Sequence, residues 1–190
     1  MARQARERLL DTAERLVYAE GIRAVGIDRI LAESGVGKAS LYRHFPTKDD
    51  LVLAVLRRRD GRWRQWLRDA VDERDMPPAQ RPLAVFDALA DRFSWADFRG
   101  CAFINTIVET ADPESPAHIV ADEHKRRLAS YLADLLADAG HAEPQGMAAR
   151  LTLLVDGAIV TALRERSPAA AQMARGIAEV LLSTPDHRDA

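Results

Sequence analysis

IDRILAESGVGKASLYRHFPTKDDL, residues 27–51, predicts two short helices around a tight turn and the start of a third helix. Ile27, Ile30 and Leu31 form an apolar stripe at helical spacing. Ser34-Gly35 stops that helix, because glycine accepts the left-handed conformation that ends helices. Leu41 and Phe45 make the buried stripe of the second helix, and Pro46 cannot continue it. Thr47 reads as the N-cap of a new helix, with Asp49 and Asp50 in its first turn, where the macrodipole favours acids. Two short helices joined by a tight, glycine-containing turn are a helix-turn-helix, whose second helix enters the major groove of DNA. With Leu41 and Phe45 inward, Lys38, Ser40, Tyr42, Arg43 and His44 are left outward. Lysine, serine, tyrosine and histidine all donate to phosphates or base edges. Lys48 opens the next helix, where its charge and the free N–H groups would meet a phosphate together. The pattern alone also fits an ordinary helical hairpin with a polar face.

Fixed residues at fixed spacing make the signal more specific. Gly35-Val36, then Leu41-Tyr42-Arg43-His44-Phe45, then Lys48 and Leu51 resemble the DNA-binding domain of TetR/AcrR-type transcriptional regulators. The resemblance runs from near Arg8 to about Leu56, and includes Gly21 and the Ile30/Ala32 pair. It implies that Lys38, Ala39 and Ser40 approach bases, while Tyr42, His44 and Lys48 anchor phosphates and Arg43 lies on the same face. Many such regulators carry a threonine near the start of the second helix. Here that region reads Val25-Gly26-Ile27, so at Gly26 and Ile27 only backbone N–H groups can hold a phosphate. Asp28 lies where relatives carry a neutral or basic residue, so an operator sequence does not transfer.

Charge is divided along the chain. Residues 1–68 hold 15 Lys and Arg against 9 Asp and Glu, whereas residues 69–190 hold 12 against 20. A basic beginning and an acidic remainder place a phosphate-attracting field on the segment that carries the helix-turn-helix. The 190 residues suffice for one or two domains with a sizeable core. Apolar content of 47% with only 6% aromatics, and a bias to Ala, Leu and Arg, favour helix. The sequence shows no apolar run near 18 residues and no signal-peptide core, and one cysteine cannot make an internal disulfide, so a cytoplasmic protein is expected.

Periodicity predicts an all-α chain of about nine helices: 2–20, the two above, 48–74, 80–95, 101–112, 116–139, 145–165 and 168–183, with a disordered tail at 185–190. The expected division is a helix-turn-helix domain at 1–47 and a helical ligand-binding and dimerisation domain at 48–184, joined by the fourth helix. Arg57, Arg58 and Arg59 on that helix read as a solvated charge run, with a diffuse attraction to phosphate as the alternative.

No catalytic constellation is visible: there is no phosphate-binding glycine pattern and no G-x-S-x-G. His118 and Asp122 share a helix face, but His124 lies off it, so these three read as polar lining rather than a metal site. Cys101 reads as a small buried group. The resemblance implies an effector cavity lined by Trp66, Phe86, Phe93, Phe103 and Ile107, with Asn105 and Glu109 as orienting polar groups. The effector would be a mostly apolar small molecule. It also implies a homodimer through the last two helices, at Leu151, Leu154, Val155, Ala158, Ile159, Ala162, Met173, Ala174, Ile177, Ala178 and Leu181. The whole reads as a dimeric repressor of a double-stranded DNA operator, without cofactor, metal, membrane or enzymatic role. A helical carrier or enzyme, and an architectural DNA binder, are the alternatives.

Overall fold

The computed structural model describes residues 2–110 and 112–184, so the expected tail at 185–190 lies outside the described residues. Among the described residues there are nine α-helices and no strands: α1 (Ala2–Glu20), α2 (Ile27–Ser34), α3 (Lys38–His44), α4 (Lys48–Asp72), α5 (Arg81–Phe93), α6 (Ala102–Glu109), α7 (Pro116–Asp138), α8 (Pro144–Glu165) and α9 (Ala169–Ser183). A single turn of 3₁₀-helix at Pro78–Gln80 precedes α5. Packing divides the chain elsewhere than at residue 47. One compact unit is Met1–Arg62 with Cys101–His124, the other Trp63–Gly100 with Lys125–Ala190.

In the first unit α1 packs against α2 and α3 around Leu9, Leu10, Leu16, Ile30, Leu41 and Phe45. Leu41 is wholly buried, and burying such a side chain is worth about 1.5–3 kcal/mol. A second cluster joins Val52 and Leu56 of α4 to Phe103 of α6 and to Val120 and Ala121 of α7. His124, also buried, stacks on the Phe103 ring at 3.7 Å and places Nδ1 2.9 Å from Asp60 Oδ1. Arg58 meets Glu7, Asp11 and Glu14 of α1, and Arg59 reaches Glu14 while lying over the Tyr18 ring at 3.7 Å. These arginines therefore tie α4 to α1 rather than form a free charge run.

In the second unit α5 packs against both α8 and α9. Ala170, Ala171, Ala174 and Ala178 give α9 a flat buried stripe that permits close approach. Arg175 pairs with Asp87 at 3.0 Å, and Lys125 with Asp156. The Tyr131 hydroxyl is buried with no hydrogen-bond partner among the described residues; burial, then the Asp72 carboxylate, push its pKa up to about 12.

Several helix ends fall short of the sequence expectation, those of α4, α5 and α6 by two or three residues. α4 stops at Asp72, because the chain turns at Glu73–Asp75, where Asp75 takes φ 47. α6 stops at Glu109, since Thr110 is already extended and Pro113 follows. By length and composition α8 is long and apolar enough to cross a membrane, contrary to the expectation that no such run exists. Leu151, Val155, Ala158 and Ala162 nevertheless form a buried stripe on α8, the arrangement of a core helix.

Candidate nucleic-acid interface

The turn between α2 and α3 is built as its residues require. Gly35 caps α2 at φ 61, ψ 27 and donates its N–H to the Leu31 carbonyl at 2.9 Å. Ser34 Oγ receives the Val36 N–H at 3.3 Å, and Arg8 of α1 donates to the Ser34 carbonyl. Thr47 caps α4: its Oγ1 accepts the Asp50 N–H at 3.1 Å, while Asp50 accepts from the Thr47 N–H at 3.0 Å. This is a reciprocal capping box.

With Leu41 and Phe45 anchored in the core, Lys38, Ala39, Tyr42 and Arg43 are exposed on α3, and Ser40 and His44 are half-buried at its edges. The exposed charges on α3 are cationic. Ile27 packs against the first core cluster, so its side chain is not available; Gly26 caps α2 without any side-chain bond. No side-chain cap bond is made at the start of α2, the local chemistry that suits a phosphate. Beside this surface, Glu33 accepts from Arg15 and Arg29, and Arg29 also pairs with Glu20. Arg15, then Arg29, hold the Glu33 carboxyl below the usual range. Its stabilising contribution is present above that ordinary range and fades as pH falls through the lowered value.

Lys48 also has a partner within the fold. Its Nζ donates to the Ile22 carbonyl at 2.7 Å, so the ammonium is engaged inside the fold. Glu109 is engaged too: its Oε2 accepts the Arg23 N–H at 3.1 Å, and its carboxylate abuts Gly21, where an added Cβ would stand 2.8 Å from Oε1. The segment 21–23 is thereby held by two hydrogen bonds, one from α4 and one to α6, with the Glu109 carboxylate close against Gly21. These contacts span 26 and 86 residues of sequence, and no local pattern announces them.

The residues expected to line an effector cavity fall in both units. In the first, Phe103 is sealed against His124, and Asn105 and Glu109 border a crevice of about 20 Å³, close to the smallest space that holds one water. Ile107 packs at the edge of the second cluster. In the second, Phe86 and Phe93 are buried and Trp66 contacts Trp63 and Trp95. His124 faces Asp60 and Phe103, and His118 Nδ1 is buried with no hydrogen-bond partner among the described residues. Cys101 is half-buried, just before α6.

The expected dimer stripe is largely the inner one. Leu151, Val155, Ala158, Ile159, Ala162, Ala174 and Ala178 are buried within the chain, and Leu154 and Leu181 are half-buried. The exposed apolar face instead carries Leu153 (75% exposed), Val160, Met173 (67%), Ile177 and Val180 (65%), with Gly157 and Gly176 between them. Of the expected residues, only Met173 and Ile177 lie fully on it. Both stripes of α8 are apolar, so periodicity does not tell them apart.

Comparison with known proteins agrees with the helix-turn-helix. Residues 9–55 match the family described as bacterial regulatory proteins, tetR family. The chain is 25% identical over 177 residues to the HTH-type transcriptional regulator YjdC of Escherichia coli, covering 93% of each protein. It is 28% identical to LmrA of Bacillus subtilis, another HTH-type transcriptional regulator, over 86% of this chain and 88% of that one. Among solved structures, SCO4454, a TetR-family transcriptional regulator from Streptomyces coelicolor, superposes with a TM-score of 0.86 at 36% identity, covering 95% of both chains. With this likeness running along nearly the whole length, and the reading helix set on its core as described, the chain belongs to the TetR family of helix-turn-helix transcriptional regulators.

Proposed function

We propose that the protein is an effector-responsive repressor that binds a pseudo-palindromic operator as a homodimer in the bacterial cytoplasm, with no catalytic role. The observation that carries this reading is the α3 surface, where Lys38, Ala39, Tyr42 and Arg43 stand clear of a core fixed by Leu41 and Phe45. Residues 1–47 act as the reading head, and residues 48–184 bind effector and partner. Lys38, Ala39 and Ser40 meet base edges, Tyr42, Arg43 and His44 meet phosphates, and the start of α2 at Gly26 and Ile27 offers backbone N–H groups. Lys48 orients the head through Ile22. The effector is a mostly apolar small molecule, and a 100-fold release of operator needs about 2.7 kcal/mol of coupling. Selection of bound duplexes from a random pool tests the reading. Inverted half-sites about one helical turn apart are expected. Absence of any enriched sequence at moderate salt overturns it.

Substitutions separate the roles. Lys38→Ala or Ser40→Ala should change base preference by about 1–3 kcal/mol at one position. Tyr42→Phe and Arg43→Ala should weaken every duplex alike, and Arg43→Ala should make the salt dependence shallower by about one unit. Lys48→Ala should lower thermal stability as well as affinity, since the Ile22 carbonyl loses its donor. Titrations at several salt concentrations distinguish these outcomes.

The exposed faces of α8 and α9 are the proposed contact with a second copy, closing a C₂ pair. Ile177→Glu and Val180→Glu should each yield monomers in analytical ultracentrifugation and weaken operator binding by about tenfold or more, because one head then lacks its tethered neighbour. Ala158→Glu is a different experiment: at 5% exposure the carboxylate would enter the protomer's own core and unfold it.

A further inference from the structure

We propose that the cleft between the α5–α6 connection and the α8–α9 turn binds an aromatic anion, a flat apolar ring bearing a carboxylate or sulfonate. The cleft measures about 860 Å³, within the range of small-molecule sites. One wall is aromatic. Phe93 and Phe98 pack with ring centroids 4.8 Å apart. Trp95, half exposed, carries the Arg92 guanidinium over its ring at 4.4 Å and meets Trp66 edge-on at 6.2 Å. Arg92 is fixed in turn by Asp97 at 2.9 Å. The wall is therefore in place before a ligand arrives, which reduces the ordering cost of binding. The opposite side is Leu163 and the turn that follows α8. Gly100, at φ 77, lets the connection approach it, since a Cβ there would stand 2.9 Å from Leu163 Cδ2.

Charge sets the sign of the ligand. Among the described residues the ionisable side chains lining the cleft are Arg99, whose Nη1 also donates to the Phe98 carbonyl at 3.2 Å, and Arg166, with no carboxylate in the lining. This lining lies in the segment 69–190, where acids outnumber bases 20 to 12, so the local composition favours the opposite result. A guanidinium presents a planar fork that matches a carboxylate or sulfonate, and an adjacent aromatic wall excludes water from the pair. Arg166 supplies a second, independent observation. It ends α8 in the left-handed region, at φ 54 and ψ 41, where glycine is the usual occupant. A long cationic side chain kept in that conformation is strain that the folded state does not need for packing, since Arg166 is exposed.

Calorimetric titration of the full chain with naphthalene-2-sulfonate, compared with neutral 2-naphthol, tests the site without involving DNA. The sulfonate should bind about tenfold more tightly than the naphthol, and Arg99→Gln and Arg166→Gly should each remove about tenfold of its affinity. Arg166→Gly is the decisive variant, because glycine keeps the backbone conformation while deleting the cation; its unfolding midpoint should be unchanged or higher. Trp95→Phe should abolish the ligand-dependent change in tryptophan fluorescence. Equal affinity for the two ring compounds, a sulfonate affinity that both arginine variants leave unaltered, or a fluorescence change that survives Trp95→Phe overturns the proposal.

Discussion

Replacing Gly35 by alanine should destabilise the protein by about 2–4 kcal/mol and reduce operator affinity by at least about tenfold. Gly35 sits at φ 61, and a Cβ there would stand 2.6 Å from Arg8 Nη2. The left-handed conformation alone costs an L-residue about 1–2 kcal/mol. The guanidinium can swing away from the methyl, so the steric part is small. The move breaks its bond to the Ser34 carbonyl, a charge-assisted contact worth about 1.5–3 kcal/mol. Freed of Arg8, the turn no longer fixes the angle between α2 and α3, and the groove-facing side chains lose their common orientation. Urea unfolding and operator titration measure the two effects. An unchanged midpoint would show that Arg8 gives way at no cost.

His124→Ala should be more damaging, at about 3–5 kcal/mol, because it breaks a buried pair. Asp60 is 3% exposed, and the imidazole 2.9 Å away is a bonding partner that alanine removes. The Phe103 ring also loses the face stacked on it. Asp60→Asn should cost less than half as much, since an amide oxygen still bonds the ring. Denaturant unfolding at neutral pH compares the two variants. Equal losses, or a His124→Ala variant as stable as the parent, would show that the pair has no structural role.

Local chemistry made much of the fold legible. Gly21, Gly35 and Gly140 take positive φ where the sequence places helix ends, and Thr47 caps α4 as its spacing with Asp50 suggests. The α3 register followed from two residues, Leu41 and Phe45, because a seven-residue helix has room for only one buried stripe. Long-range chemistry left no such trace. The Asp60–His124 pair joins residues 64 positions apart, and neither residue differs locally from a solvated one. Lys48 carried every mark of a phosphate ligand, and nothing near it in sequence announced that its ammonium also donates to a carbonyl 26 residues upstream. On α8, leucine, valine and alanine occupy both faces, so alternation of polarity could not say which stripe is internal.

The two anchors on residues 21–23 have a consequence for modularity. A gene fusion that transplants residues 1–47 onto a foreign core cuts between Thr47 and Lys48. The donor for the Ile22 carbonyl and the acceptor for the Arg23 N–H both stay behind, on Lys48 and Glu109. The compact unit that holds both is discontinuous, Met1–Arg62 together with Cys101–His124. Recombination between relatives at the end of α3 would therefore join heads to bodies whose fit depends on what stands at two distant positions. Chimeras that keep a lysine and a glutamate there should inherit the parental half-site geometry, whereas those that lose them must find new anchors before the head can aim.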